Sequence, residues 1–484
     1  MKQLTAISNK ISLSLFYGFG VFTVLALLLA FKTEQMVLAA LPLVVLLGAV
    51  TILDFKSVYF FLLAMLPLSI EYYFPSGLGT DLPTEPLMVG MMLVAFVFIF
   101  FKREALPDSF FINPLVIALL FHYLWIFICA LNSENVVVSM KIFLAKTWYI
   151  TTFTVLTAVV IRTKGDLKKI FWCIYIPLTI LITITMLRHG ILYHFYFQDI
   201  NKCVTPYFRN HVNYAAMVSV FFPFLFLAIG WYEKGSKIRK LLVFSVLYYV
   251  VAIYFSFTRT CMLAVLAMIP FYFMVKWRFT KLGLIAIAGF VVFTLNTLIS
   301  DNKYMHMSPD FEKTVYHDDF SSHLTSTFEG ADVSSMERIY RWIAAARMSV
   351  AHPYMGVGSG NFYDNYKHFT VTSFETYISD NEEHSTVHNY FLLMLVEQGY
   401  IGLFIFIVLT ATVFIYGERV YLKMKTSESR RTVMILLLVM LSVYVNLLLS
   451  DMLETDKVGP FFFMTLALLV LFDTEKISVE AESE

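Results

Sequence analysis

The sequence predicts an all-α polytopic membrane protein, with about 12–14 transmembrane helices and one large loop carrying an amphipathic helix. Three observations predict it. Of 484 residues, 59% are hydrophobic and 17% aromatic, and mean hydropathy is +0.72. Only 15% are charged, against roughly 25% in soluble domains. Apolar runs long enough to cross a bilayer recur along the whole chain. Lys and Arg gather on alternate connections between these runs, as the positive-inside rule requires of cytoplasmic loops.

Fourteen spans are read, at roughly 12–30, 36–53, 57–71, 86–101, 113–131, 143–161, 169–187, 212–230, 241–257, 260–276, 281–298, 389–416, 432–450 and 459–473. The first has positive residues before its apolar run and no small-x-small cleavage site, so it reads as a helix and not as a removed signal. The basic connections are 102–103, 162–169, 234–240, 276–281 and 419–431. Counting from them places both termini in the cytoplasm and the long segment 299–388 outside. Five regions follow: N-terminal spans at 1–211, central spans at 212–298, the large loop at 299–388, C-terminal spans at 389–473 and a tail at 474–484.

Composition also excludes some functions. A formal net charge of +1 gives no bulk attraction to nucleic acid. Cys129, Cys173 and Cys261 fall in apolar stretches and only Cys203 in a loop, which supports neither a disulfide framework nor a metal cluster. Transporters carry ionisable residues near the bilayer midplane, often in matching halves. Here the span interiors are almost free of charge and no internal repeat is visible.

The unusual ionisable residues lie instead near outer span ends: Lys146, Arg209, Arg259, His388 and the group Arg338, Arg341 and Arg347. Arg209 precedes a span within "VTPYFRNHVNYAAM", where an interfacial belt is the plain alternative. Arg259 stands at the tip of a short outer turn. It reads either as an arginine snorkelling to lipid phosphate or as a phosphate-binding fork. Lys146 lies inside an outer helix end and either snorkels or joins the same surface.

The loop holds 13 acidic and 6 basic residues, and three of the six sit in one helical stretch. Ser334 and Glu337 fit a capping box. Ile339, Ile343, Ala346 and Val350 form an apolar stripe for the membrane surface or the helix bundle, with Arg338 and Arg341 on another face. Pro353 ends the helix. Gly356, Gly358 and Gly360 then make a tight turn, with no βαβ unit to suggest a dinucleotide site.

The stretch "HSTVHNYFLLMLVEQGYIG" passes from polar to apolar at His388. A helix starting near His388 puts Leu392, Leu395, Gly399 and Gly402 on one stripe beneath it. The glycines then admit another helix or a lipid chain, or else break the helix and serve packing. Glu397 needs a partner or a wet cavity. No His/Asp/Glu cluster stands at metal-ligand spacing, although His384 is one turn away.

Taken in order, these residues resemble the bacterial O-antigen ligase and O-antigen polymerase superfamily. "HNYFLLMLVEQGYIG" matches that family's pattern of His, then Asn/Ser/Gln, nine residues, Gly, two residues and Gly, filled here by His388, Asn389, Gly399 and Gly402. "RTCML", Arg259 through Leu263, matches its Arg-x-x-x-Leu motif. "RWIAAARMSVAHPYMGVGSGNF" is similar to its loop signature, with Gly356 and Gly358 in the Pro-x-x-Gly-x-Gly turn, and "YFRNHVNYA" to its Asn-rich element. The resemblance covers about 200–475.

It implies a glycosyltransferase of the cell inner membrane, acting at the periplasmic face without metal or other cofactor. The donor would be a glycan on undecaprenyl pyrophosphate. The acceptor would be lipid A–core, a growing glycan or a protein hydroxyl, for ligase, polymerase and O-oligosaccharyltransferase respectively. His388 would be the base, Arg259 and Arg209 the pyrophosphate clamps, Arg341 or Arg338 the loop's contribution, and Lys146 a lesser one. A flippase for lipid-linked sugars and a non-catalytic assembly partner are the competing readings.

Overall fold

The computed structural model describes residues 2–35, 38–39, 41–74, 79–308, 333–376, 378–381 and 384–475. Among them, eleven helices are long and apolar enough to cross a membrane, and three shorter apolar helices take the places of the remaining expected spans. The chain divides into two compact units, residues 1–62 and 63–484.

The first unit holds α1 (Lys2–Thr33), α2 (Leu41–Leu53) and most of α3 (Phe55–Met65). α1 leaves Phe16 71% and Phe31 83% exposed. Side chains so apolar have a suitable solvent only in lipid.

The second unit starts within α3, which stops at Met65, just before Pro67. The expected span to residue 71 is therefore cut short. Ile70–Tyr73 (β1) and Gly79–Leu82 (β2) form an antiparallel hairpin, pairing Ile70 with Leu82 and Tyr73 with Gly79. Strands of four residues give too little alternation to separate from a loop.

Next come α4 (Thr84–Phe101), α5 (Pro114–Leu131), α6 (Val136–Val160, with a π turn at Thr151–Leu156) and α7 (Lys164–Tyr193). After them follow α8 (His211–Ile229), α9 (Lys237–Phe255), α10 (Arg259–Lys276) and α11 (Thr280–Ile299). The loop contributes α12 (Val333–Ala351), and α13 (Tyr390–Lys423), α14 (Ser427–Leu447) and α15 (Gly459–Asp473) complete the bundle.

α15 is apolar on every side and nearly every residue of it is buried. It is a core helix, which explains how a short segment can be so hydrophobic. α14 packs on α8, α10 and α15, while α13 packs on α5 and carries α12. α11 buries only Thr280 and shows the rest of its surface outward.

Candidate active site

His388 does not belong to α13. The helix begins at Tyr390, with Asn389 as its cap accepting from the Leu392 N–H at 3.0 Å. His388 itself has φ +54°, left-handed backbone that a β-carbon disfavours. The stripe drawn from His388 down to Gly402 therefore does not form. Three contacts hold the strained residue. Thr386 donates to the Asp451 carboxylate, the Trp342 indole donates to the Val387 carbonyl at 3.0 Å, and the Asn389 amide donates to the Leu448 carbonyl at 2.9 Å. Strain of this kind persists only where the surroundings over-determine it.

α12 turns a different face inward from the one its sequence suggests. Met336, Glu337, Tyr340, Arg341, Ala344 and Met348 are buried. Ile339 and Ile343 are only half-buried, Ala346 is exposed, and Val350 is 74% exposed. The helix packs on the bundle through a face that includes charge, because the charge is paired there. Glu337 accepts from Ser379 Oγ at 2.5 Å, from Thr376 and from Arg341 Nη2 at 3.3 Å. That carboxylate is thus spent on the loop and not on a capping box with Ser334. Arg341 is 5% exposed, and its Nε finds no hydrogen-bond partner among the described residues.

Electrostatics connects these groups. Burial pushes the His388 imidazole down to about 3, and the charges of Arg338 and Arg341 push the same way. Burial raises the Asp451 carboxyl, against the Thr386 hydrogen bond and the charges of Arg209 and Arg341. Arg209, Arg338, Arg341, Asp451 and His388 thus share one polar end of the bundle. Arg209 is exposed there, just ahead of Asn210, which caps α8 by accepting from Val212 and Asn213.

Arg259 opens α10. Cys261 contacts Asn446 at 3.2 Å, and Asn446 is two residues from the Leu448 that holds Asn389, so Arg259 lies at the same end of α14 as His388. Leu263 is 56% exposed on the outside of α10. Arg347 donates to the Thr370 carbonyl at the loop surface.

Lys146 is placed otherwise than at a surface. It is 3% exposed, donates to Tyr390 Oη at 2.8 Å and pairs with Glu454, which also accepts from Tyr390 at 2.6 Å. Its charge is already matched inside the bundle.

The glycines lock the loop to α13. Gly399 has φ +69° and ψ −174°, which interrupts the helix. The freed Val396 and Glu397 carbonyls accept from Val357 and Gly358 at 3.0 Å each, and Tyr400 donates to Pro353 at 2.8 Å. The Glu397 carboxylate accepts from the Gly360 N–H at 2.8 Å. Gly356, Gly358 and Gly360 all have positive φ. A β-carbon at Gly399 would meet the Tyr354 and Pro353 backbone, and one at Gly402 would meet Gln398 and Trp125. The space beneath His388 is thus filled by the chain, not open to a lipid tail. Irregular backbone at membrane depth survives only when protein satisfies it, as the glycine turn does here.

Sequence reasoning missed Asp451, Thr386 and Trp342, and gave Glu337 only a capping role. Asp451 follows the span 432–450, so the criterion that selected Arg259 was able to find it. His384, four residues before His388 in non-helical chain, stacks on the Tyr363 ring at 4.0 Å. Among the described residues no three His, Cys, Asp or Glu side chains converge as metal ligands.

A protein-family model described as O-antigen ligase matches residues 244–407. That stretch contains Arg259, Arg338, Arg341, the glycine turn, His388 and Gly399, and leaves out Lys146, Arg209 and Asp451. No curated protein matches the chain.

Proposed function

Through residues 244–407 the chain belongs to the O-antigen ligase and polymerase superfamily, and from that premise we propose that it transfers a glycan from undecaprenyl pyrophosphate to an acceptor hydroxyl at the periplasmic face of the inner membrane. The observation that carries the reading is a strained, half-buried histidine at a membrane boundary, in the field of Arg338 and Arg341.

The chemistry asks for a base and for cations. His388 takes the proton of the acceptor O–H. The oxygen attacks the anomeric carbon, the bond from that carbon to the pyrophosphate breaks on the opposite side, and configuration inverts. Undecaprenyl pyrophosphate leaves with the electron pair. Arg341, Arg338, Arg209 and Arg259 hold the pyrophosphate and stabilise its growing charge, because guanidinium groups pair with phosphate oxygens as forks. An imidazole pushed to about 3 is neutral near pH 7 and able to accept a proton, though weakly basic. An arriving pyrophosphate offsets the two arginine charges, which strengthens the base only when the donor is bound.

Among the superfamily's activities the ligase reading is preferred. Deleting the gene separates them: glycan lost from lipid A–core means ligase, a single attached repeat means polymerase, and normal lipopolysaccharide with unglycosylated protein means O-oligosaccharyltransferase. The transfer reaction itself is tested with purified protein, lipid-linked donor and acceptor. H388A should lose product by about 10²–10⁴-fold, the usual contribution of a general base. Undiminished product with H388A contradicts the proposal and favours a flippase or an assembly partner.

A further inference from the structure

At the membrane face opposite His388 lies a cavity of about 770 Å³ that the transfer reaction does not use. α13 relates the two places: Tyr390 begins it beside His388, and Tyr421, near its other end, lines the cavity. Along the unbroken α14, from Arg431 at the cavity to Leu447 beside the Leu448 that holds Asn389, the separation is roughly 25 Å at 1.5 Å per residue. The walls are apolar side chains of α8, α10 and α14, including Phe222, Phe226, Met268, Ile269 and Met434. Two of these helices carry an internal proline at that depth, Pro223 and Pro270, where the backbone loses a regular hydrogen bond.

Polar groups stand at one end only. Arg430 and Arg431, on the first turn of α14, line the cavity with Tyr421, Tyr272 and Ser427. Arg430 is held in place: it donates to the Met424 carbonyl at 2.9 Å and stands 5.9 Å from the Tyr421 ring centre. Arg431 lies against Gly230, where a β-carbon would take the room of its guanidinium. It pairs with no carboxylate among the described residues, and both arginines are exposed.

We propose that this cavity binds an anionic phospholipid, with its phosphate on Arg430 and Arg431 and an acyl chain between α8, α10 and α14. A volume within the range of ligand pockets, apolar walls and two guanidinium groups at a single rim match one anionic head on an apolar tail. A neutral lipid leaves the arginines unmatched, and a soluble phosphate leaves the apolar walls wet. The site is independent of the catalytic reading.

The test is native mass spectrometry of the full-length protein, released from bilayer nanodiscs of phosphatidylcholine with an increasing share of phosphatidylglycerol. The wild type should retain phosphatidylglycerol over phosphatidylcholine. R430Q/R431Q should retain roughly tenfold less, in keeping with the loss of a charge-assisted contact. Ile269→Trp, at a 61% exposed position where added bulk disturbs no core, should lower retention with the charges intact. R419Q/K425Q, neighbouring cations that do not line the cavity, should keep the wild-type preference. The proposal is overturned by equal retention of both lipids, by an unchanged preference in R430Q/R431Q, by an equal loss in R419Q/K425Q, or by a polyprenyl phosphate as the retained species.

Discussion

Lys146 and Arg341 are both buried cations at the polar end of one bundle, and the chain treats them in opposite ways. Lys146 meets Glu454 and Tyr390 in a closed knot, each member satisfied by the others. Arg341 meets Glu337 through one Nη at 3.3 Å and keeps Nε unmatched, beside a histidine whose charge it suppresses. A buried charge needs a partner, and the partner's completeness separates the two roles. A closed pair holds helices together, while an open one has capacity left for a ligand.

The largest effect should come from opening the closed knot. K146M leaves the half-buried Glu454 without its cation and should cost about 3 kcal/mol, the low end for a broken buried pair because Glu454 is 26% exposed, read as a lowered unfolding temperature in detergent. K146M/E454M replaces the whole pair and should recover most of that stability and much of the transfer activity. A double variant that folds but transfers nothing would move Lys146 from the frame into the site.

R341Q should do the reverse. Glu337 keeps Thr376 and Ser379 as donors, so the fold should persist, while transfer falls by roughly 10²–10³-fold, the cost of removing one group that stabilises developing charge. R341K should restore only part of the activity, since it keeps the charge and loses the fork. A smaller effect is expected at the break in α13. G399A forces a β-carbon into left-handed backbone against Tyr354 and should cost about 1–3 kcal/mol, read by thermal unfolding and by proteolysis of the loop. The smallest is R347Q, at the loop surface, which should change stability by under about 0.5 kcal/mol and leave transfer intact.

Much of the fold was legible because span length and loop charge carry it. The eleven long helices and three short apolar ones match the fourteen expected spans in order. What escaped was set by long-range packing. The inward face of α12 follows from Thr376 and Ser379 reaching Glu337, and no periodicity within 333–351 contains that. Gly399 was read as either a lipid-admitting or a helix-breaking glycine, and the choice between the two is made by Val357 and Gly358, some forty residues earlier. Lys146 was rightly seen as unusual, and only Glu454, 308 residues away, shows why it is buried. The residues around the histidine were found by residue type and position; the acidic partners were not, because an Asp or Glu at a span end is commonplace.

In the proposed reaction His388 is a base weakened first by burial and then by two arginines, and donor pyrophosphate relieves the arginine part by offsetting their charge. With the imidazole pushed from 6.5 to about 3, the unfolded chain binds its proton more readily between those values, so this contribution to stability is present above pH 6.5 and lost as pH falls toward 3. The most direct test is the pH dependence of transfer by reconstituted protein. The acid limb of kcat/KM, which reports the free enzyme, should lie well below pH 6.5, and the limb of kcat, which reports the donor complex, should lie higher than that of kcat/KM. R338Q and R341Q should each draw the kcat/KM limb upward. A kcat/KM limb at the ordinary histidine value, unmoved by either substitution, would contradict the claim.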